Sequence, residues 1–204
     1  NHPIKVAFAV GTKGEFGNGD GLPWGAPLKK DMEYFREFTK GCVLVMGKKT
    51  FESLPKRIND LDRECVVISR QHAKTHPRAK NGDMVKEYCA MGELSLSDAL
   101  EAISDSYNKP VCVIGGAELI QQSVCLADEI MFATVHDVEN SVMEHTVSLD
   151  TSDMRTKVYD DGNKVVLSNR KTDRYNRIEG QLKISTCTRW LSKGAAPRTP
   201  WYER

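Results

Sequence analysis

The chain has 204 residues, enough to bury one full core, and its 29 basic and 28 acidic residues leave a formal charge of +1. That balance excludes a nucleic-acid footprint or an acidic solvating tail as the dominant feature, so a charged ligand must be held locally. Hydrophobic residues make up 40% of the chain, and no stretch approaches the roughly 18 uninterrupted apolar residues of a membrane helix.

The opening Asn1-His2-Pro3-Ile4-Lys5 runs into an apolar segment without the pattern of a secretory leader, so the expected location is the cytoplasm. Four short apolar runs bounded by turn residues are predicted as buried strands: Ile4 to Val10, Cys42 to Met46, Cys65 to Ser69 and Val111 to Ile114. Helical spacing separates them: Met32, Phe35 and Phe38 after Pro27, then Leu96, Leu100 and Ile103 after the cap candidates Ser95 and Ser97, then Leu119 to Val124 after a glycine pair. Val and Ile runs without polar alternation, interleaved with helices, predict a mostly parallel sheet covered on both faces. Beyond Glu129 the grammar changes. Ile130 to Val135 and Gln181 to Thr188 read as strands without an apolar helix between them, and Asp160-Asp161-Gly162-Asn163 as a turn, so an antiparallel strand or hairpin is expected to close the sheet.

The predicted architecture is therefore one α/β domain over residues 1–190, with flanking helices. Residues 191–204 form a tail, either flexible or a docking segment carrying Trp201-Tyr202. Six scattered cysteines without a Cys-x-x-Cys pair read as free thiols of a reducing compartment, and five scattered histidines without ligand spacing give no metal site.

Three strand ends carry chemistry. Val43-Leu-Val-Met46 is followed by Gly47-Lys48-Lys49-Thr50, which joins a glycine turn, positive side chains and a helix start at one point. This is not a P-loop, because Cys42 occupies the place of that motif's first glycine. Val111-Cys-Val-Ile114 leads into Gly115-Gly116-Ala117-Glu118, where two glycines allow a ligand to approach the backbone closely. Cys65-Val-Val-Ile68 ends in Ser69-Arg70, a hydroxyl beside a guanidinium that suits a phosphate monoester. No G-x-G-x-x-G follows a strand, yet three anion-binding strand ends in one sheet indicate a dinucleotide, with Ser69-Arg70 the seat of an additional 2′-phosphate. A second feature is Gly17-Asn18-Gly19-Asp20-Gly21-Leu22-Pro23-Trp24, a glycine-rich loop ending in large apolar groups, as a lid over a flat ligand requires. After it, Asp31 shares a helix face with Phe35 and Phe38. A carboxylate there is either a desolvated proton donor and anchor for a cationic heterocycle or a first-turn acid serving the helix dipole.

Leu22-Pro-Trp24, the helix with Asp31 and Phe35, Val45-Met-Gly47-x-x-Thr50-Phe-Glu-Ser53, Arg63 before a strand ending in Ser69-Arg70, and Val113-Ile-Gly-Gly116 together resemble dihydrofolate reductase, in consistent order over roughly residues 4–188. The long stretch from Trp24 to Asp31, with Lys29-Lys30, is similar to a phage-type member. The resemblance implies NADPH as cofactor, dihydrofolate as substrate, antifolates as inhibitors, and a monomeric enzyme with neither nucleic acid nor membrane as partner. It implies that Asp31, with Leu22 and Trp24, belongs to the catalytic machinery, the acid holding the pterin and promoting protonation at N5. Ala7, Phe8, Met32, Phe35, Leu54 and Ile114 would line the substrate, and Arg63 would take its α-carboxylate. Ala9, Phe16, Asp20, Lys48, Lys49, Thr50, Ser69, Arg70, Gly115, Gly116, Ala117 and Glu118 would contact the cofactor.

The chain also departs from the family. Ala133 stands where a threonine ordinarily bonds the catalytic acid, with Thr134 facing the other way along a strand; either the register slips or that hydrogen bond is lost. Ile120 replaces an aromatic residue, and Lys56 to Asp62 lengthens the approach to Arg63. Competing readings are a same-fold pyrimidine reductase of riboflavin synthesis, lacking the need for Asp31, and a folate- or NADP-binding structural subunit such as one of a viral particle.

Overall fold

The computed structural model describes residues 2–19, 21–54, 63–71, 78, 85, 87–151, 156–158, 164–166 and 172–190. Asp20, the stretch 56–62, the turn at 160–163 and the tail 191–204 lie outside the described residues.

All four predicted apolar runs are strands: β1 (Ile4–Gly11), β3 (Val43–Met46), β4 (Cys65–Ser69) and β6 (Val111–Gly115). They join β5 (Glu87–Ala90) and β7 (Glu129–Asp137), and the hairpin β11 (Thr172–Glu179) and β12 (Leu182–Trp190), in one eight-stranded sheet ordered β11-β12-β7-β1-β6-β3-β4-β5. From β7 to β5 every pairing is parallel, while β12 runs antiparallel to β7 and β11 antiparallel to β12. Val43, Leu44, Val45 and Met46 are all fully buried, as a strand covered on both faces requires. Short two-stranded ribbons, β2 (Glu15–Gly17) with β8 (Val147–Ser148) and β9 (Thr156–Val158) with β10 (Lys164–Val166), lie outside the main sheet.

The helices are α1 (Lys29–Phe38), α2 (Lys48–Ser53), α3 (Leu96–Tyr107) and α4 (Ala117–Val124). Ser95 caps α3, its hydroxyl accepting from Asp98 N at 3.1 Å, and Asn108 ends that helix in the left-handed region. Leu96, Leu100, Ile103 and Ile120 from α3 and α4 pack with Val6, Val10 and Ile130 on one face of the sheet. On the other face, Phe38 and Phe51 from α1 and α2 pack with Ala7, Leu44 and Met131. Among the described residues, no helix is long and apolar enough to cross a membrane, no cluster of His, Cys, Asp or Glu is placed to hold a metal ion, and none of the six cysteines forms a disulfide.

Candidate active site

Because β3, β4 and β6 are parallel neighbours, their carboxyl ends share one edge of the sheet, and the three predicted anion-binding turns meet there. Two strand spacings put Val67, level with Met46 and Gly115, roughly 10 Å from Gly115, and Ser69, two residues further along, roughly 12 Å away. Gly47 N donates to Gly115 O at 2.9 Å, tying the first turn to the second. At Gly115 the approach is tight enough to require glycine, whereas Gly116 has room for ordinary contact. A Cβ on Gly115, whose φ is +154°, would lie 2.8 Å from Thr50 Oγ1, and one on Gly116 would lie 3.5 Å from the same atom. Lys48 and Lys49 are exposed on α2, with Lys48 Nζ 3.8 Å from Glu52 Oε1. Ser69 Oγ accepts from Gln71 N at 3.3 Å, and Arg70 is exposed beside it. Ala117 and Glu118 open α4, and Glu118 is exposed. This backbone cradle, flanked by cations, fits a phosphorylated dinucleotide.

Asp31 stands in the first turn of α1. Burial raises its carboxyl group's pKa to about 6, against the lowering effects of the Arg177 guanidinium and a hydrogen bond from the Thr186 hydroxyl. Of the two readings of this acid, desolvation therefore dominates. Ala7, Met32, Phe35, Leu54 and Ile114, the predicted substrate wall, all belong to the apolar cluster under α1 and α2. Ala9 and Trp24 continue it, packed with Leu28, Ala133 and Ile184. Trp24 Nε1 is buried without a hydrogen-bond partner among the described residues, leaving a donor beside this wall. Arg63 lies against the opposite end of α1, its Nη2 donating to Arg36 O at 2.8 Å and its Nε to Thr39 Oγ1 at 3.4 Å. An elongated ligand held at Asp31 would thus run along α1 toward a guanidinium.

Some residues fall elsewhere. Phe8 points to the opposite face, stacked on Phe132 with ring centroids 5.4 Å apart, so only its backbone can meet a ligand on the Asp31 side. Phe16 packs against that same far core, and Leu22 is half-buried with its carbonyl accepting from Gly25 N at 3.0 Å. A groove of about 660 Å3, lined by Thr12, Thr134, His136, Lys183 and Ser185 among others, includes none of the residues given roles from the sequence.

The expected choice between a slipped register and a lost hydrogen bond at Ala133 is corrected. The register does not slip: Ala9 pairs with Ala133, and Ala133 is fully buried. The hydroxyl comes instead from Thr186, directly across from Ala133 on β12 and therefore on the same face. Sequence reasoning missed Thr186, Arg177 and Tyr34. Their only signal was the threonine-cysteine-threonine alternation in the last strand, which names a face only once its register against β7 is known.

The family model described as dihydrofolate reductase matches residues 3–147. Dihydrofolate reductase type 8 of Escherichia coli is 35% identical over 131 residues, covering 63% of this chain and 70% of that protein. Type A10 of Escherichia coli is 34% identical over 124 residues, covering 61% and 60% respectively. The solved structure of dihydrofolate reductase from Enterococcus faecalis, complexed with NADP(H) and RAB-propyl, superposes with a TM-score of 0.62 at 18% identity over 92% of this chain and 95% of that one.

Proposed function

The chain belongs to the dihydrofolate reductase family, and we infer that it reduces 7,8-dihydrofolate to tetrahydrofolate, adding hydride at C6 and a proton at N5. The observation that carries this reading is the Asp31 carboxylate, its pKa raised by burial, on the helix that packs over the apolar wall, together with a glycine cradle suited to a phosphorylated dinucleotide at the carboxyl edge of the same sheet. The match does not favour a pyrimidine reductase or a structural subunit.

NADPH supplies the hydride when bound, held by Lys48, Lys49, Thr50, Ser69, Arg70 and the turn from Gly115 to Glu118, with Ala9, Phe16 and Asp20 completing its contacts. The exposed Arg70 beside the Ser69 hydroxyl gives a 2′-phosphate two partners that NADH would leave unused. Asp31 accepts from the amino group and ring N–H of the pterin and, with its raised pKa, favours a proton at N5. Ala7, Met32, Phe35, Leu54 and Ile114 orient the ring and exclude water, the Phe8 backbone contributes polar contacts, and Leu22 and Trp24 close the loop side. Arg63 takes the substrate's carboxylate. We further take residues 1–190 as the catalytic domain, 191–204 as a tail, and the enzyme as a cytoplasmic monomer acting on small molecules and open to antifolates. Its near-balanced charge supports the exclusion of nucleic acid.

The test is spectroscopic. NADPH oxidation with dihydrofolate is followed for the wild type and Asp31→Asn, then repeated with NADH. NADPH-selective turnover that collapses in Asp31→Asn at neutral pH is expected; tight NADPH binding without turnover would overturn the assignment.

A further inference from the structure

The geometry behind Asp31 holds a charge that the reaction as described does not use. Arg177 lies on β11 with its side chain only 7% exposed. Its Nη1 donates to Thr186 Oγ1 at 2.8 Å. Its Nε lies 3.5 Å from Glu179 Oε1, and Nη2 is buried with no hydrogen-bond partner among the described residues. Tyr34 and Tyr175 flank the guanidinium, 5.7 and 5.5 Å from their ring centroids. Since the Thr186 oxygen accepts from Arg177, its own O–H is left to donate, and Asp31 receives it. The result is a directed chain from guanidinium to hydroxyl to carboxylate, reaching from the outermost strand to the first turn of α1.

We propose that Arg177 is a positioning and specificity-determining residue: through Thr186 it orients the Asp31 carboxylate, and its charge biases the site toward neutral heterocycles over cationic ones. The inference rests on the reductase reading. A dihydropterin binds neutral through its amino group and ring N–H, whereas a ligand that docks as a protonated amino-heterocycle places a second positive charge over Asp31. Glu179, 3.5 Å from the guanidinium, offsets only part of its effect at Asp31, and low local dielectric keeps the remaining repulsion between Arg177 and a bound cation appreciable. Several charged groups on the elements packed around Asp31 have partners of their own. On α1, Lys30 pairs with Glu33 at 3.2 Å; on β7, Glu129 pairs with Lys5 at 3.5 Å and Asp137 accepts from Gln181 at 2.8 Å. From β11, Glu179 opposes the effect of Arg177, and Tyr34 and Tyr175 complete the ionisable surroundings. From β12 and β7 the same face presents Thr186, Ile184 and Ala133.

The experiment measures kcat/KM for dihydrofolate against pH, together with dissociation constants for a protonated diaminopyrimidine and for a neutral pterin. It uses the full chain and the variants Arg177→Met, Arg177→Lys and the exchange Ala133→Thr/Thr186→Ala. Removing the charge should raise the acidic midpoint by about one pH unit and tighten the cationic ligand about tenfold, with a much smaller change for the neutral one. Arg177→Lys should restore much of the charge effect. The exchange, which conserves side-chain composition, should return the hydroxyl to the acid and hold the midpoint nearer the wild type than Arg177→Met does. An unmoved midpoint and equal effects on both ligands in Arg177→Met, with activity lost only in step with folded fraction, would overturn the inference even in an active reductase. An inactive wild type would instead overturn the reductase reading itself. Should Arg177→Met fail to fold, Arg177→Gln takes its place: a raised midpoint with selective tightening of the cationic ligand supports the inference, and an unmoved midpoint with equal effects on both ligands refutes it.

Discussion

Gly115→Ala probes the junction of the two glycine turns at the ends of β3 and β6. The added methyl group would sit 2.8 Å from Thr50 Oγ1 and 3.1 Å from Thr50 Cγ2, so rotating that side chain exchanges one collision for the other. Thr50 is β-branched and helical, which further restricts its rotation. Overpacking of this kind costs about 1–3 kcal/mol. A residue with a Cβ at φ +154° adds backbone strain of about 1–3 kcal/mol. Together they predict a loss of about 3 kcal/mol in urea unfolding. The same displacement parts Lys48–Thr50 from Gly115–Gly116, so NADPH affinity measured by fluorescence titration should fall at least about tenfold, equivalent to about 1.4 kcal/mol. Thr50→Ala removes both colliding atoms and leaves the backbone strain. In a double-mutant cycle it should recover about 1–3 kcal/mol of the stability lost. Additive effects of the two substitutions, or a Gly115→Ala protein as stable as the parent, would refute the close approach on which the cradle depends.

Three further outcomes follow from individual groups. A raised Asp31 pKa of about 6 means that the native state binds the extra proton, so ionising this acid destabilises the fold as pH rises from about 4 to above 6. Relative to wild type, Asp31→Asn should gain up to about 3 kcal/mol across that window in urea titrations, and a pH-independent difference would contradict it. Glu15 is buried and accepts from Lys13 N at 2.7 Å and Met143 N at 2.9 Å, and these bonds hold its pKa below the ordinary carboxylate value despite burial. Its contribution is present above the unfolded pKa and is lost as pH falls through the lowered folded one. Glu15→Gln, with one acceptor for two N–H groups, should therefore cost about 2 kcal/mol at pH 7 and much less in acid. Arg70→Ala should weaken NADPH binding about tenfold while leaving NADH binding nearly unchanged, as read by titration with each nucleotide.

The residues that could be placed from the sequence share a property: their meaning is local. Gly47, Ser69-Arg70 and Gly115-Gly116 each stand at the carboxyl end of an apolar run, and parallel pairing necessarily brings such ends to one edge. Asp31 is defined by helical spacing to Phe35 and Phe38. Thr186 is different, because its role depends on a register between strands far apart in sequence. A slip of one residue would present Ser185 or Cys187 to the acid. Arg177 lies in Thr172–Glu179, a strand too polar to show alternation, whose place in the sheet comes from its pairing with β12. β5 was equally illegible, being four half-buried residues held by their pairing with β4.

In the eight-strand order β11 is terminal, so the charge behind Asp31 is carried by the part of the sheet with a neighbour on one side only. Terminal strands open at lower free energy than central ones. Each such opening withdraws Arg177 from Thr186 while β1, β7 and the acid remain in place, making the protonation of Asp31 a reporter of fraying at the sheet's margin. On heating, the acidic midpoint of catalysis should drift upward well before the core unfolds, so that the enzyme loses its neutral-pH setting before it loses its shape.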